Sequence, residues 1–296
     1  MNTIQTGILK PLPPLARYLV FALNQNVNPA EALQALAKET DGSETIVGLG
    51  LSVVQKLDAH IDGLRPFPTI VNAGVDIPAT PAAIWLWLRG DDRGELLHRT
   101  RRLRKLLSPA FTLTNVVDAF RYGAALDLTG YEDGTENPVD EEAVAVTFVA
   151  GQGEGMDGSS FVAAQQWLHD LDFFESLPPE TQDNVFGRRR SDNEEIEDAP
   201  LSAHVKRTAQ EDFEPEAFVL RRSMPWADSW QEGFFFVAFG HSLYAYEAQL
   251  KRMAGLDDGI VDALFTYSRP VTGAYFWCPP VKDGQLDLRA LGLEND

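Results

Sequence analysis

The chain has 296 residues, 44% hydrophobic and 23% charged, so it can form packed cores, and disordered and fibrous classes are excluded. Its 44 acidic and 25 basic side chains leave a formal net charge of −19, which repels nucleic acid and anionic membranes. Cys278 is the only cysteine, which excludes an intramolecular disulfide, a multi-cysteine zinc site and a four-thiolate iron–sulfur cluster. The negative charge predicts a small or neutral partner. The single cysteine and the absence of an apolar run of roughly 20 residues, the length of a membrane span, predict a cytoplasmic protein.

The first half of the sequence alternates apolar and amphipathic segments. Apolar runs predict strands at residues 17–23, 45–51 and 83–88. Capping signals and periodicity predict helices at 32–38 after Asn28-Pro29, at 52–56 after a Ser52 cap, and at 91–107.

The densest basic cluster, RTRRLRK at residues 99–105, lies on the last of these helices. Leucines in the same segment provide an apolar side for packing. Because the rest of the chain is strongly acidic, we interpret the cluster as a solvated helix face and not as a nucleic-acid site.

The second half repeats this alternation after a turn-rich segment. An acidic stretch at 191–198 is too polar for a core and predicts an exposed loop. Antiparallel strands with helices on one face favour an α+β class, and there is no glycine-rich phosphate loop to indicate a parallel doubly wound sheet. The predicted strands are 144–149, 161–167, 234–239 and 274–277, and the predicted helices are 179–185 and 244–253.

The histidines are weak signals when each is considered alone. His60, His98, His169 and His241 have no second histidine at metal-ligand spacing, and we expect ordinary surface or boundary positions. His204 follows the acidic loop, where an inward-facing imidazole would be available as a single axial ligand. A structural role for His204 remains open at this point.

Three motifs occur together in an informative order. They are GYEDGTENP at 130–138, IEDAPLSAHVKR at 196–207 and VLRRSMPW at 219–226. Their order and spacing resemble the dye-decolorising peroxidase family, over most of residues 120–280 and more loosely in the N-terminal half. The chain is most similar to the compact bacterial intracellular branch, the B-type enzymes.

The resemblance implies a fold of two ferredoxin-like halves with antiparallel sheets and surrounding helices. The expected halves are residues 1–129 and residues 130–296. It also implies one haem b, which is held mainly by the C-terminal half.

The resemblance assigns roles to individual residues. His204 matches the iron ligand, and Asp262 occupies a position similar to the carboxylate that hydrogen-bonds this histidine and makes it more basic. Asp133 matches the distal aspartate, which would move a proton on bound peroxide. Arg221 matches the distal arginine, whose fixed charge would stabilise the departing oxygen.

Three further positions complete the expected haem site. Arg188 looks like the arginine that meets a haem propionate, and Phe236 is expected to form an apolar lid on the distal face. Ser223 departs from the asparagine that many family members carry two residues after the distal arginine. Its shorter side chain is expected to change the hydrogen bonds around the peroxide.

The implied function is a peroxidase that reduces hydrogen peroxide with electrons from bulky aromatic donors such as dyes, phenols or porphyrinogens. Because dyes are large, an aromatic relay to the surface is expected, with Tyr131, Trp226 and Trp230 as candidates, although each is also typical of core or rim positions. A homo-oligomer and an encapsulating protein shell are further expected partners. The alternatives are a haem-handling protein, which would need His204 but not Asp133 with Arg221, and an acidic binding module without cofactor.

Overall fold

The computed structural model describes residues 3–72 and 74–293. Within them, all strand pairs of the main sheet are antiparallel. The strands are β1 (Leu15–Leu23), β2 (Thr45–Leu49), β3 (Ile70–Asn72), β4 (Val75–Ile77), β5 (Ile84–Gly90), β6 (Phe111–Phe120), β7 (Ser160–His169), β8 (Leu220–Arg221), β9 (Met224–Ala227), β10 (Glu232–Gly240), β11 (Ser268–Pro270), β12 (Ala274–Cys278), β13 (Val281–Lys282) and β14 (Gln285–Leu286).

Helices fill most of the connections between these strands, which confirms an α+β class with antiparallel sheets. They are α1 (Ala30–Glu39), α2 (Leu51–Lys56), α3 (Arg93–Leu107), α4 (Asp140–Thr147), α5 (Leu171–Ser176), α6 (Pro179–Phe186), α7 (His204–Thr208) and α8 (Tyr244–Met253). None of the helices within the described residues combines the length and the hydrophobicity that a bilayer crossing requires.

Eight strands form a closed ring. In the first half the order is β2-β5-β1-β6, and in the second it is β12-β7-β10-β9, with β8 pairing with β10 on the same edge as β9. Single register pairs join the halves at both edges, Trp277 with Leu49 and Ala119 with Trp226. The ring therefore has an inner and an outer face, and successive residues of a strand alternate between them.

The inner and outer faces bury separate cores. Aromatic residues fill the inside of the ring, where Tyr18 stacks on Phe235 with ring centroids 3.8 Å apart. The outer face of the first half is covered by α1 and α3, whose Leu33 and Leu103 are each 1% exposed. Asp92 begins α3 by accepting a hydrogen bond from the N–H of Glu95, as its capping position predicts.

Most predicted elements are present, and three differences between the sequence prediction and the structure have a clear physical reason. Residues 140–147 form α4 and not a strand, because acidic residues in its first turn favour a helix N-terminus over the strand preference of its valines. The whole of β6 was missed, because several of its residues face solvent and its hydrophobic alternation is broken. Ser52 lies inside α2, whose N-cap is Gly50.

The basic helix face and the C-terminal segment also have clear placements. On α3, Arg102 pairs with Glu39, and Arg99 donates to the main-chain oxygens of Glu44 and Arg89, as expected for a packed and solvated helix. Leu286 and Leu291 pack into the core of the first half. The short tail at residues 286–296 is the segment that could address the protein to a shell, and its last residues, 294–296, lie outside the described residues.

Candidate active site

A cavity of about 480 Å³ lies between the outer face of β7 and β10 and the helices that follow them. Phe234 and Phe236 of β10 line it, whereas the alternate residues Phe235 and Val237 face the inside of the ring. All of the lining residues fall between Asp127 and Ser268. The cavity therefore belongs almost wholly to the C-terminal half.

One wall of the cavity carries a histidine with a buried carboxylate behind it. His204 is the first residue of α7, and its Nδ1 lies 2.7 Å from Oδ2 of Asp262, which is 1% exposed. The other oxygen of Asp262 accepts the N–H of Leu264 at 2.9 Å, so the carboxylate is held in place. Asp262 fixes the proton on Nδ1, which leaves Nε2 of His204 with a lone pair.

This arrangement suits a single axial ligand. Among the described residues there is no group of three or more histidine, cysteine or acidic side chains that could hold a metal ion by itself. A porphyrin needs only one imidazole from the protein, together with an apolar enclosure. Trp167, Phe236, Leu250 and Met253 supply apolar lining, so the residues present fit a haem.

A carboxylate and a guanidinium also line the cavity. Nε of Arg221 lies 3.6 Å from Oδ1 of Asp133, with 14% and 22% of the two side chains exposed. This distance is too long for a hydrogen bond, so both groups keep capacity for a small ligand. They come from separate chain segments, the loop after Gly130 and strand β8.

Asn137 joins these two segments. Its Oδ1 accepts the N–H of Arg221 at 2.8 Å and its Nδ2 donates to the carbonyl of Arg221 at 3.1 Å. Gly134, with φ +79°, permits this turn, because a Cβ there would lie 2.5 Å from Nδ2 of Asn137. The asparagine and glycine of the motif therefore fix Asp133 relative to Arg221.

The remaining expected site residues are placed differently from one another. Arg188 lines the cavity and bonds Glu136 at 2.7 Å and the carbonyl of Asn193 at 3.0 Å. Phe236 also lines it. Ser223 is 2% exposed and is not among the lining residues; its hydroxyl accepts the N–H of Val237 at 3.2 Å. The structure thus gives the Ser223 hydroxyl a main-chain contact where we expected a cavity contact.

A buried polar chain that the sequence analysis missed forms another part of the wall. Nδ1 of His169 lies 2.6 Å from Oγ of Ser268, and Nε2 lies 3.0 Å from Oδ1 of Asp127. Burial opposes ionisation of Asp127, but hydrogen bonds from His169 and Thr129 outweigh it and hold the pKa of Asp127 below its ordinary value. His169 is therefore a buried cavity residue, and the expectation of an ordinary surface or boundary position was wrong.

Comparison with known proteins identifies the family of the chain. The family model described as "Dyp-type peroxidase, C-terminal" matches residues 124–283, which is more than half of the chain and includes the whole cavity. The chain belongs to the Dyp-type peroxidase family. It is thus a haem peroxidase by family, as the three motifs indicated.

Individual members of the Dyp-type family match along nearly the whole chain. The dye-decolorizing peroxidase of Mycobacterium tuberculosis is 28% identical over 294 residues, which cover 93% of this chain and 88% of that protein. A dye-decolorizing protein from Vibrio cholerae has a TM-score of 0.86 and 27% identity, covering 98% and 99% of the two chains. A Rhodococcus jostii DypB variant in complex with heme shares the fold, with a TM-score of 0.82 and 23% identity over 92% and 94% of the chains.

Strand periodicity could have revealed the missed wall of this Dyp-type cavity. Gln165, Trp167 and His169 alternate along β7 and all line the cavity. Extending the predicted strand 161–167 by two residues would have placed His169 beside Trp167 on one face. No local signal indicated Ser268, because it reaches His169 only through the pairing of β11 with β7.

Proposed function

We propose that this Dyp-type enzyme is a B-type haem b peroxidase that reduces hydrogen peroxide with electrons from bulky aromatic donors such as dyes, phenols or porphyrinogens. The observation that carries the proposal is that His204, Asp133 and Arg221 line one cavity, with Asp262 bound behind His204. His204 with Asp262 provides an axial ligand, and Asp133 with Arg221 provides a base and a fixed positive charge.

In this proposal His204 would hold the haem iron through Nε2. When bound, the haem supplies the electrons that cleave the O–O bond of peroxide and later recovers them from the donor. Asp262 keeps the proton on Nδ1 of His204 and makes the imidazole a stronger donor. Phe236 would cover one face of the haem and Arg188 would meet a propionate; both side chains line the cavity, which supports these roles.

Asp133 and Arg221 divide the work on peroxide. One peroxide oxygen must lose a proton and the other must gain one before the bond can break. Asp133 can accept that proton and return it, directly or through one water. The guanidinium of Arg221 stabilises negative charge on the departing oxygen, a contribution of several kcal/mol in a dry site. Ser223, through its bond to β10, would hold the chain next to Arg221 and not the peroxide itself.

Large donors would give up their electrons at the surface. Of the three aromatic candidates, Trp230 is 91% exposed, whereas Tyr131 and Trp226 are 4% and 3% exposed. The ring N–H of Trp226 donates to the carbonyl of Trp167 at 2.9 Å, and Trp167 lines the cavity. We therefore propose Trp230 as a contact for donors and Trp226 as a step toward the cavity.

The same proposal covers the organisation of the chain. Strand orders β6-β1-β5-β2 and β9-β10-β7-β12 place equivalent strands at equivalent positions, which supports two ferredoxin-like halves divided near residue 129. We retain a cytoplasmic location, a homo-oligomer and an encapsulating protein shell as predictions. They rest on the family resemblance and composition.

A haem-handling protein is the alternative, and a spectrum separates the two. The purified protein should show a Soret band, change its spectrum with one equivalent of peroxide, and recover the original spectrum when an aromatic donor is added. Haem handling would be favoured if peroxide left the Soret band unchanged. It would also be favoured if peroxide changed the band and an aromatic donor did not restore it. Colourless protein that does not take up added haem would refute both.

A further inference from the structure

Two arginines lie close together at one end of the strand ring without an acidic partner. Arg89, at the end of β5, is 3% exposed, and Arg222, between β8 and β9, is partly buried. Among the described residues, no carboxylate forms an ion pair with either guanidinium. This is notable in a chain with 19 more acidic than basic side chains.

Both guanidiniums contact the same short stretch of main chain. Nη2 of Arg89 donates to the carbonyl of Pro11 at 2.5 Å. Arg222 donates to the carbonyls of Ile8 and Leu9 at 2.9 and 3.1 Å. Neutral carbonyls satisfy some N–H groups but do not cancel two positive charges.

Three buried donors at this position have no acceptor among the described residues. They are Nε and Nη1 of Arg89 and the hydroxyl of Tyr18, which interacts electrostatically with Arg89. The Trp87 ring lies over the guanidinium, with its centroid 4.7 Å from Cζ of Arg89, and this contact offsets part of the positive charge. A ring above the guanidinium plane does not accept the hydrogen bonds of N–H groups that point within that plane. Buried donors without acceptors cost free energy, and what this group lacks is an acceptor.

Other charged groups near the pair do not fill this need. Burial, followed by repulsion from Arg89, lowers the pKa of Arg222 to about 10, and Asp133 offsets part of that repulsion. Burial lowers the pKa of Arg89, although Glu44 opposes this effect. Glu44 is 53% exposed and is bound to Lys10.

Small side chains lie next to Arg89 in the ring. Ala16 is its register partner on β1, and Ala119 is the partner of Ala16 on β6. Both alanines belong to the inner core. Alanine has no polar atom in its side chain, so neither residue supplies the missing acceptor.

We propose that Arg89, Arg222 and Tyr18 form a buried site for one small inorganic anion of the size of a halide. An anion accepts hydrogen bonds from several donors at once and reduces the repulsion between the two guanidiniums. Water could accept the same bonds but would leave both charges uncompensated. Nη1 of Arg222 also donates to the carbonyl of Arg221 at 3.1 Å, so the anion would brace the main chain that carries Arg221.

Crystals of the haem-loaded protein grown in sodium bromide test the site directly. We expect an anomalous bromide peak beside Nε and Nη1 of Arg89 and within contact of the Tyr18 hydroxyl. Ordered water alone at this position, or bromide only on the protein surface, would overturn the proposal.

Solution measurements provide the second test. Chloride should raise the Tm of the haem-loaded protein by about 2 °C or more over sodium gluconate at equal ionic strength, because gluconate is too large for the site. Tyr18→Phe should weaken chloride binding about fivefold, and Arg89→Met should abolish the difference between the two salts. Arg101→Met, at an exposed position of α3, is the matched control and should keep the full difference. A shift that persists in Arg89→Met would assign the effect to other residues and refute the site.

Discussion

The two halves of the strand ring share a strand order but use their outer faces differently. In the first half, α1 and α3 lie directly on the sheet and bury leucines such as Leu33 and Leu103. In the second half, the outer face of β7 and β10 carries Trp167, Phe234 and Phe236 toward a cavity. The same sheet therefore supports a closed core in one half and a site in the other.

The difference arises from the connections between the strands. Residues 24–44 join β1 to β2 through the single helix α1, whereas residues 170–219 join β7 to β8 through α5, α6, a long loop and α7. The longer connection stands off from the sheet and carries His204. The helices and loops of the longer connection thus form the site, while the strand order of the sheet is the same in both halves.

Removal of the axial ligand should have the largest effect in the second half. We expect His204→Ala to lower the affinity for haem by more than about 100-fold. Loss of a hydrogen-bond partner behind a metal ligand typically lowers metal affinity by roughly 10–100-fold, and loss of the ligand itself should cost more. His98→Ala, at an exposed position on α3, is the matched control and should bind haem normally. The Soret absorbance per protein after gel filtration measures this, and an unchanged Soret band in His204→Ala would show the ligand assignment to be wrong.

Leucine truncations compare the closed core with the cavity wall. Leu33→Ala should lower the free energy of unfolding by about 3 kcal/mol with or without haem, because its site is tightly packed. Leu250 lies on α8 at the cavity. Leu250→Ala should lower the free energy of unfolding less in the haem-free protein than in the haem-loaded protein, because haem would pack against this side chain. Urea unfolding of both variants, with and without haem, measures these free energies. If haem changed the loss equally in Leu33→Ala and Leu250→Ala, the contrast between a closed core and a cavity wall would be wrong.

One Arg–Asp pair from each half offers a matched test of catalysis. Arg221→Leu or Asp133→Ala should slow the first spectral change after mixing with peroxide by roughly a hundredfold, about 2.7 kcal/mol in the barrier. Arg17 and Asp118 form a pair at 2.6 Å in the first half, and Arg17→Leu should leave the rate unchanged. Stopped-flow absorbance gives the rates. Parental rates in both cavity variants would exclude the proposed division of work.

The buried chain at His169 predicts a small, pH-dependent effect. Because the folded-state pKa of Asp127 lies below its ordinary value, its stabilising contribution is complete above about pH 4 and is lost as the pH falls through the folded value. Asp127→Asn should therefore cost about 1 kcal/mol at pH 6, and the cost should shrink as the pH falls below about 4.

Asp118→Asn is the control in the first half. Its pKa is also lowered, since the pair with Arg17 outweighs burial, but its side chain is 36% exposed and solvent screens the pair. We expect a loss of about 0.5 kcal/mol with the same direction of pH dependence. Urea unfolding between pH 3 and pH 6 measures both variants. A loss for Asp127→Asn that grows toward acid would show that the carboxylate is not the stabilising form.

Sequence patterns predicted most elements where local preference and burial agree. Helix α8 at Tyr244–Met253 and the core strand β10 have strong periodicity, and both were predicted within two residues at each end. The motifs also indicated the family, because the order of Asp133, His204 and Arg221 along the chain is itself a signal. Strand β6 was missed, since its place depends on pairing with β1 and not on its own hydrophobic pattern.

By itself, the sequence determined composition, charge, most local elements and the residue types of the candidate site. Only the tertiary structure decided which side chains meet. Asp133 and Arg221 are far apart in the chain and are joined through Asn137, while Ser268 reaches His169 across a strand pair. The closed ring likewise depends on contacts between distant strands, and so does Arg89, which has no carboxylate partner among the described residues. Such contacts follow from the packing of the whole chain, which no local pattern encodes.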